Sequence, residues 1–353
     1  MNGVLHRKIG VVTRVVIERP GAQEILVGDD QAINYPDLTG RVEVGDEVLL
    51  NTTAVDLGLG TGGVHFVIAN LTRPAGEIDP EGFRDGHIMK LRYTPLQEAV
   101  LSVEEDDSPH QQAIQEFESL DGLPVVCCEL HSQIAPAAAA LKVGTDYKAR
   151  IAYIMTDGAA LPIAFSRLVA ELKEKGLLDV TITCGQAFGG DIEAINVYTG
   201  LIAAKQVAKA DAAIVCQGPG NAGTGSKLGF SGIQQGEALN ACNVLGGTAI
   251  AVVRMSFADP RERHRGVSHH TLTILTDIVH SPVVVPIPDD KFADQLSKFP
   301  HKLRILDGEP GLAELQMKGI AVTTMGRSIE EDREFFLAAS AGGVLAAEIL
   351  KGG

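Results

Sequence analysis

Residues 125–325 alternate short apolar runs with helical patterns, and this alternation constrains the fold more than any other feature. The runs have the length of strands and lie at residues 125–130, 151–155, 180–184, 212–216, 248–255 and 283–287, with shorter ones at 303–306 and 320–324. Helical patterns lie between them, at residues 134–142, 161–175, 192–209 and 234–244. Continuous apolar strands that alternate with helices form a parallel sheet covered on both faces, so the pattern predicts a doubly wound α/β domain. A closed eight-stranded barrel is the alternative, and we favour the open sheet because helix and loop lengths are irregular.

The first hundred residues have a different rhythm, in which short β-branched runs alternate with turn residues. Runs at 11–18 and 24–27 flank Arg19-Pro20-Gly21 and predict a hairpin, and residues 40–51 and 64–69 add further strands. This pattern is typical of a small antiparallel barrel or sandwich, which strand-like runs at 88–93 and 99–103 would complete. An acidic, breaker-rich link at residues 104–109 follows. We therefore predict a β module at residues 1–104 and an α/β domain at residues 105–353.

Three local features bear on this division. The glycine-rich stretch at residues 57–63 leads into a strand rather than a helix, so it is interpreted as a turn, with Asp56 and His65 as solvated groups beside it. Ser108 and Pro109 predict the start of a helix that runs towards Leu120. The closing helix, residues 329–350, contains a Gly-Gly pair that indicates close packing, against either the sheet or a second subunit.

Net charge and cysteine content limit the partners. The 353-residue chain carries a formal charge of −15, and because an acidic chain repels phosphate backbones and anionic lipids, we expect neither nucleic acid nor a membrane surface as a partner. The first ten residues lack an apolar signal-peptide core, and no apolar run reaches the ~18 residues of a spanning helix. We therefore expect a cytoplasmic protein. The five cysteines lie mostly in apolar, strand-like surroundings, which predicts buried reduced thiols.

Residues 218–232, here called the glycine segment, follow an apolar run and precede a helical pattern. A strand, a glycine-rich loop and a helix present backbone N–H groups to ligands in α/β proteins. Thr224, Ser226 and Lys227 add two hydroxyls and an ammonium group. The segment therefore predicts a site for a small anion, although a purely structural glycine loop explains the same pattern.

Familiar motifs fit the glycine segment poorly. Residues 218–223 match the dinucleotide pattern GxGxxG, and Arg254 at the end of the next strand would suit an NADP phosphate, but the match comes late in the sheet and no acidic residue ends that strand. NADP binding is therefore kept only as an alternative. Lys227 is displaced from its place in a Walker loop, and Leu228 stands where a hydroxyl would hold magnesium, so that motif is excluded. A nucleophile elbow around Ser231 lacks its final glycine.

Residues 254–270, here called the basic segment, hold four arginines and three histidines in an otherwise acidic chain. Arginine side chains bind carboxylate or phosphate in bidentate geometry. Both segments flank the apolar run at 248–253, so we expect them to lie close together. His269 and His270 are adjacent and do not share a face of a helix or strand, which makes them poor joint ligands, and only an irregular loop would let His264, His269 and Asp259 form a metal site. We assign no metal, and a solvated or intersubunit charged loop is the alternative.

In a parallel α/β sheet the ligand sits beyond the carboxyl ends of the strands. Small or polar residues follow one run after another there, among them Glu129, His131 and Asp157. A short polar side chain beyond a buried strand can be desolvated and its pKa shifted, so we predict Asp157 and His131 as catalytic residues, with Glu129 as a further candidate. Asp157 and Gly158 also make an ordinary turn.

These features predict an enzyme that binds a small anionic substrate, such as a phosphorylated one, in a crevice of the α/β domain. The predicted anion-binding residues are Gly218, Gly220, Asn221, Gly223, Thr224, Gly225, Ser226, Lys227, Arg254, Arg261 and Arg265. A non-catalytic ligand sensor or assembly protein using the same crevice is the alternative. An enzyme predicts strongly shifted acidic or histidine groups at the crevice, and a sensor predicts none. The sequence does not specify the reaction, a cofactor or the oligomeric state.

The chain also resembles a known family. The resemblance is carried by VGDEVLLNTTA at residues 44–54, LGTGGVHF at 59–66, MTDGAALP at 155–162 and CQGPGNAGTG at 216–225. This combination is similar to an uncharacterised bacterial family, domain of unknown function 3866, over nearly the whole chain. The resemblance implies no activity, cofactor or catalytic residue.

Overall fold

The computed structural model describes residues 5–60, 62–73 and 86–352. The chain divides into two compact units: Met1–Asp85 with Leu91–Glu98, and Gly86–Lys90 with Ala99–Gly353. The boundary predicted after residue 104 stays a prediction. Residues 1–4, part of the amino-terminal stretch without a signal-peptide core, and Thr61, in the predicted glycine turn, lie outside the described residues.

The first unit contains, in its described part, a closed five-stranded barrel of order β1-β2-β3-β5-β4. The strands are β1 (Arg7–Arg19), β2 (Ala22–Val27), β3 (Asp30–Asn34), β4 (Glu47–Asn51) and β5 (His65–Asn70), and the short helices are α1 (Pro36–Thr39) and α2 (Thr53–Asp56). The predicted hairpin is confirmed, since β1 and β2 pair antiparallel across Pro20-Gly21. Valine, isoleucine, leucine and alanine side chains from alternate strand positions fill the barrel.

The predicted small β-barrel module is confirmed, but several of its details differ. The barrel is mixed rather than wholly antiparallel, because β3 pairs parallel with β5. Residues 88–93 and 99–103 do not complete it: β6 (Ile88–Lys90) and β7 (Glu98–Val100) form a separate two-stranded sheet. His65 is buried rather than solvated, whereas Asp56 is half exposed and accepts hydrogen bonds from Thr52 and His6.

The second unit is built on an open parallel sheet, which has eight strands within the described residues and the order β11-β10-β9-β12-β8-β13-β16-β17. Its strands are β8 (Pro124–Cys127), β9 (Ile151–Thr156), β10 (Val180–Cys184), β11 (Ile192–Ala194), β12 (Ala212–Gln217), β13 (Thr248–Ala251), β16 (Val284–Ile287) and β17 (Lys302–Ile305). The predicted α/β fold is therefore confirmed, and the closed eight-stranded barrel is wrong. The central strands are buried along their whole length because helices cover both faces.

The helices divide between the two faces of the sheet. They are α3 (Gln111–Gln115), α4 (Ile134–Gly144), α5 (Arg167–Glu174), α6 (Val197–Gln206), α7 (Gln234–Val244), α8 (His269–Thr273), α9 (Ala293–Leu296), α10 (Glu309–Met317) and α11 (Arg333–Leu350). Residues of α4, α5, α10 and α11 pack on one face, and residues of α3, α6, α7, α8 and α9 pack on the other.

The chain order creates a switch point between the neighbouring strands β8 and β12. After β8 the chain continues through α4 to β9, whereas after β12 it continues through α7 to β13, on the opposite side of β8. Since α4 and α7 lie on opposite faces, the two connections diverge beyond the carboxyl ends of these strands. Such a divergence opens a crevice in which doubly wound proteins bind ligands.

Some predicted elements differ from those observed. Residues 320–324 form no strand, the helix predicted from Ser108 towards Leu120 shortens to α3, and the closing helix begins at Arg333. The helical pattern at 192–209 divides into edge strand β11 and helix α6, which Asn196 caps by accepting hydrogen bonds from Tyr198 and Thr199.

The predicted close packing of the closing helix is confirmed. A Cβ atom at Gly343 would lie 2.0 Å from the carbonyl oxygen of Ala137 in α4, and one at Gly342 would lie 2.9 Å from Val252, which follows β13. These two glycines let α11 approach α4 and the sheet at backbone distance.

The five cysteines are free and buried, as predicted. Among the described residues, no helix combines the length and the apolar character needed to cross a membrane.

Candidate functional site

A buried charged network lies beyond the carboxyl ends of β8 and β13. Glu129 follows β8 and is fully buried, and its Oε1 accepts hydrogen bonds from Arg254 Nη1 at 2.8 Å and from His270 Nδ1 at 2.7 Å. Burial alone would raise the pKa of Glu129, but the charge of Arg254 and the hydrogen bond from His270 outweigh it and hold the pKa below its usual value. Glu129 is therefore a carboxylate that neutralises Arg254 and orients His270.

Glutamine side chains fix the backbone around this network. Gln133 accepts hydrogen bonds from the N–H groups of Glu129 and Leu130, and Gln235 donates to the carbonyl oxygens of Cys127 and Val252. Gln217, at the end of β12, donates to the carbonyl of Glu129. Because these contacts tie the exits of β8, β12 and β13 together, the Glu129 side chain has a defined position.

The basic segment folds back on itself, and this brings its histidines together. Strands β14 (Met255–Ser256) and β15 (Gly266–Val267) pair antiparallel, and Ser268 then caps α8 by accepting a hydrogen bond from His270 N–H. His264, just before β15, therefore lies beside the first turn of α8. The ring centroid of His264 lies 4.9 Å from those of both His269 and His270, and the latter two lie 4.4 Å apart.

The glycine segment meets the same cluster, as the sequence predicts. Phe230 stacks on His270 with ring centroids 3.7 Å apart and planes 5° from parallel. A Cβ atom at Gly223 would lie 4.0 Å from His270 Nε2, and one at Gly232 would lie 2.6 Å from Glu129 Cγ. Gly232 is thus required for the close approach of the segment to the buried carboxylate.

Within the glycine segment, several polar groups bond to one another. Thr224 Oγ1 lies 2.7 Å from Ser226 Oγ and donates to the Gly229 carbonyl, so the two hydroxyls predicted to meet an anion already have partners. Asn221 Oδ1 accepts hydrogen bonds from Gln217, Ser231 and Gly232 and anchors the segment to β12.

The remaining predicted anion-binding glycines differ in their surroundings. Gly218 is buried and approaches Ala160 so closely that a Cβ atom would lie 2.3 Å from its carbonyl oxygen. Gly220, with φ of 101°, and Gly225 are exposed, and a Cβ atom at either position would lie more than 4 Å from every described residue other than its chain neighbours. The exposed turn at 220–228 is therefore the part of the segment that a ligand can approach.

The predicted cations also differ in their availability. Arg254 is buried against Glu129, and Arg261 donates to Asp259 through Nε and Nη2. Lys227 is exposed but pairs with Asp277 at 2.7 Å. Arg265 is exposed on the basic segment. Of these four cations, Lys227 and Arg265 are therefore the ones accessible to an anion.

His131 and Asp157, the predicted catalytic residues, have separate partners. His131 Nε2 lies 2.7 Å from Ser166 Oγ, and its Nδ1 lies 3.3 Å from the Gln217 carbonyl. Burial lowers the pKa of His131 to about 4, so it is neutral near pH 7. Asp157 accepts hydrogen bonds from Gln186 N–H and from Gln234 Nε2. Their catalytic role stays a prediction.

Sequence reasoning undervalued the histidines of the basic segment. His269 and His270 are the first two residues of α8, yet their ring centroids lie 4.4 Å apart, and the hairpin places the ring of His264 beside both. Three histidines within seven residues, next to arginines in an acidic chain, were the available signal.

The comparisons with known proteins give a family and no activity. The family model described as a protein of unknown function, DUF3866, matches residues 31–343. No curated protein and no solved structure matches the chain.

Proposed function

This chain belongs to that DUF3866 family, and because membership brings no activity with it, we propose from the site alone that the protein is an enzyme acting on a small anionic substrate. The substrate binds at the switch point between β8 and β12, beneath the exposed turn of the glycine segment. The histidine cluster beside Glu129 supplies the reactive groups, and Lys227 and Arg265 attract the anion. A cytoplasmic location is part of the proposal and is supported by the five free, buried thiols.

The observation that carries the proposal is the buried network of Glu129, Arg254 and His270. Removing charged groups from water is costly, and a pair of this kind adds little to stability compared with apolar residues of the same volume. Here the network stands at the position where α/β sheets bind ligands, next to a segment rich in N–H groups. Charged side chains retained at such a position indicate a chemical role.

Shifted histidine groups favour an enzyme over a sensor. Burial lowers the pKa of His264 to about 3, with the charges of Arg254 and Arg261 acting in the same direction, and burial lowers the pKa of His269 as well. Neutral imidazoles that carry a lone pair at physiological pH can accept protons or bind electrophiles. NADP binding has less support, because the Arg254 side chain that would meet its phosphate is buried against Glu129.

Thermal-shift measurements with phosphorylated and carboxylated small molecules test the proposal. A ligand at 100 times its dissociation constant stabilises the folded chain by about 2.7 kcal/mol, which is readily detected. Lys227→Ala should weaken the binding of every hit. Asp277→Asn should strengthen it by up to about fivefold, because breaking an exposed ion pair worth at most about 1 kcal/mol frees the ammonium group.

Lys175→Ala provides the matched control, since Lys175 is exposed and follows α5 at the amino edge of the sheet. This substitution removes the same charge and should leave the binding of every hit unchanged. The proposal fails if no anion stabilises the protein, with or without a chelator, or if the Lys227 and Asp277 variants bind the hits as the wild type does.

A further inference from the structure

We propose that His264, His269 and His270 form a binding site for a divalent transition-metal ion of the zinc type. One ring nitrogen from each histidine lies within 4.8 Å of one from each of the others. The metal site is inferred from the three histidines alone. Only the role of the ion in a reaction on an anionic substrate rests on the proposed function.

The separations suit a tetrahedral ion after small side-chain movements. Zinc binds imidazole nitrogen at 2.0–2.1 Å, so two nitrogens on a tetrahedral zinc ion are about 3.3 Å apart. Closing a triangle with sides of at most 4.8 Å to that size moves each nitrogen by no more than about 1 Å.

Hydrogen bonds orient two of the three rings as metal ligands. His270 Nδ1 donates to Glu129 Oε1, which leaves the Nε2 lone pair free, and a carboxylate behind a ligating histidine is the usual outer partner at zinc sites. His264 Nδ1 lies 2.8 Å from Ser268 Oγ, and when it donates to that oxygen its Nε2 is likewise available. Both rings would then be held through Nδ1, with Nε2 left to bind the ion.

His269 supplies the third ligand and an independent observation. Within the described part of the chain, its Nε2 is buried and has no hydrogen-bond partner. A buried polar atom without a partner is unfavourable by roughly 1–3 kcal/mol unless a ligand satisfies it. Coordination to an ion between the three rings would satisfy this nitrogen.

The donor set selects the class of metal. Three imidazole nitrogens suit zinc and neighbouring transition metals, whereas magnesium and calcium require oxygen ligands. Glu129 and Arg254 lie behind the histidine rings rather than among the ligands. Because their charges cancel, the bound ion would keep its full positive charge. Three protein ligands leave a fourth position for water, which zinc activates near neutral pH, and an anionic substrate would bind next to that positive charge.

Metal titration of the full-length chain tests the inference. After treatment with a chelator, the protein is titrated with Zn²⁺ in competition with a chromogenic chelator, with no other ligand present. The wild type should bind one equivalent of Zn²⁺ and should not bind Mg²⁺ at the same concentration. His269→Ala should lose at least about tenfold in affinity, since even outer-layer changes at zinc sites have effects of 10–100-fold.

His280→Ala is the matched control, because His280 is exposed and lies outside the cluster. It should bind Zn²⁺ as the wild type does. A readout independent of any variant is the modification of histidines by diethyl pyrocarbonate, in which Zn²⁺ should protect His269 but not His280. The inference is overturned if the wild type binds no stoichiometric Zn²⁺, if His269→Ala binds it equally well, or if Zn²⁺ leaves His269 unprotected.

The two proposals can fail separately. Zinc binding without any anionic ligand in the thermal-shift screen would sustain the metal site and refute the proposed function. Anion binding that depends on Lys227 in the presence of a chelator, together with no zinc binding, would sustain the proposed function and refute the metal site.

Discussion

His131 shows how a single buried side chain connects the site to stability. It follows β8 at the switch point, and its ring contacts Ser166, Tyr153 and the Gln217 carbonyl. Ser166 also caps α5 by accepting a hydrogen bond from Val169 N–H, so its own proton is free to point towards His131 Nε2. This arrangement requires a neutral imidazole, in agreement with the pKa of about 4 that burial produces.

His131→Gln should make stability less sensitive to acid. In the unfolded chain a histidine takes up a proton near pH 6.5, whereas folded His131 resists protonation until about pH 4, so stability is lost as pH falls through this window. Between pH 7 and pH 5 the contribution of this residue to that loss is on the order of 2 kcal/mol. Glutamine binds no proton, so urea unfolding at the two pH values should show a difference smaller by up to about that amount.

His280→Gln serves as the comparison, because it makes the same histidine-to-glutamine change at an exposed position. It should keep the wild-type difference between pH 7 and pH 5. An unchanged difference in the His131 variant would mean that His131 in the folded wild type takes up a proton as readily as it does in the unfolded chain.

At the scale of elements, the sequence predicts regular, buried segments well. Strand β10 and helix α7 have the predicted bounds, and β9 and β12 extend one residue beyond theirs, because a continuous apolar run or a helical pattern between clear breakers specifies each of them. Short elements are less predictable: β11 was assigned to a helix because three residues carry too little periodicity. The convergence of His264 with α8 depends on the β14–β15 hairpin, whose two-residue strands leave no recognisable pattern.

Gly343→Ala should destabilise the protein through the contact between α11 and α4. Alanine favours a helix by up to about 1 kcal/mol over glycine, but its Cβ atom would lie 2.0 Å from a backbone oxygen of α4 that cannot move alone. Overpacking of this kind costs typically about 1–3 kcal/mol, so we expect a net loss in the free energy of unfolding, measured with urea.

Gly236→Ala in α7 is the matched change. There the new Cβ atom meets Ile278 Cγ2 at 2.6 Å, which is the end of a side chain rather than backbone, so the loss should be smaller. Equal effects at the two positions would show that backbone contact between α4 and α11 does not limit their packing.

At the scale of the whole molecule, the site and the thiols belong to the same unit. Glu129, Arg254, the three histidines and all five cysteines lie in the α/β unit, and the barrel contributes none of them. The sequence indicates this division, because the apolar runs that become the central strands also supply most of the cysteines. It could not place the ligand site within the sheet, since the switch point depends on strand order, which no local pattern records.

The buried thiols therefore report on the opening of the α/β unit as a whole. Burial raises the pKa of Cys128 and Cys184 and brings that of Cys242 to about 12, so neither exposure nor thiolate character favours reaction in the folded protein. We expect a thiol-exchange reagent to modify all five cysteines rapidly in denaturant and slowly in buffer. In buffer the five cysteines should react at one common rate, and this rate should rise as urea is added below the unfolding transition. Mass spectrometry of partly modified samples should find unmodified and fully modified chains. If one thiol reacts much faster than the rest, the strand that carries it opens independently, and the parallel sheet is not a single cooperative unit.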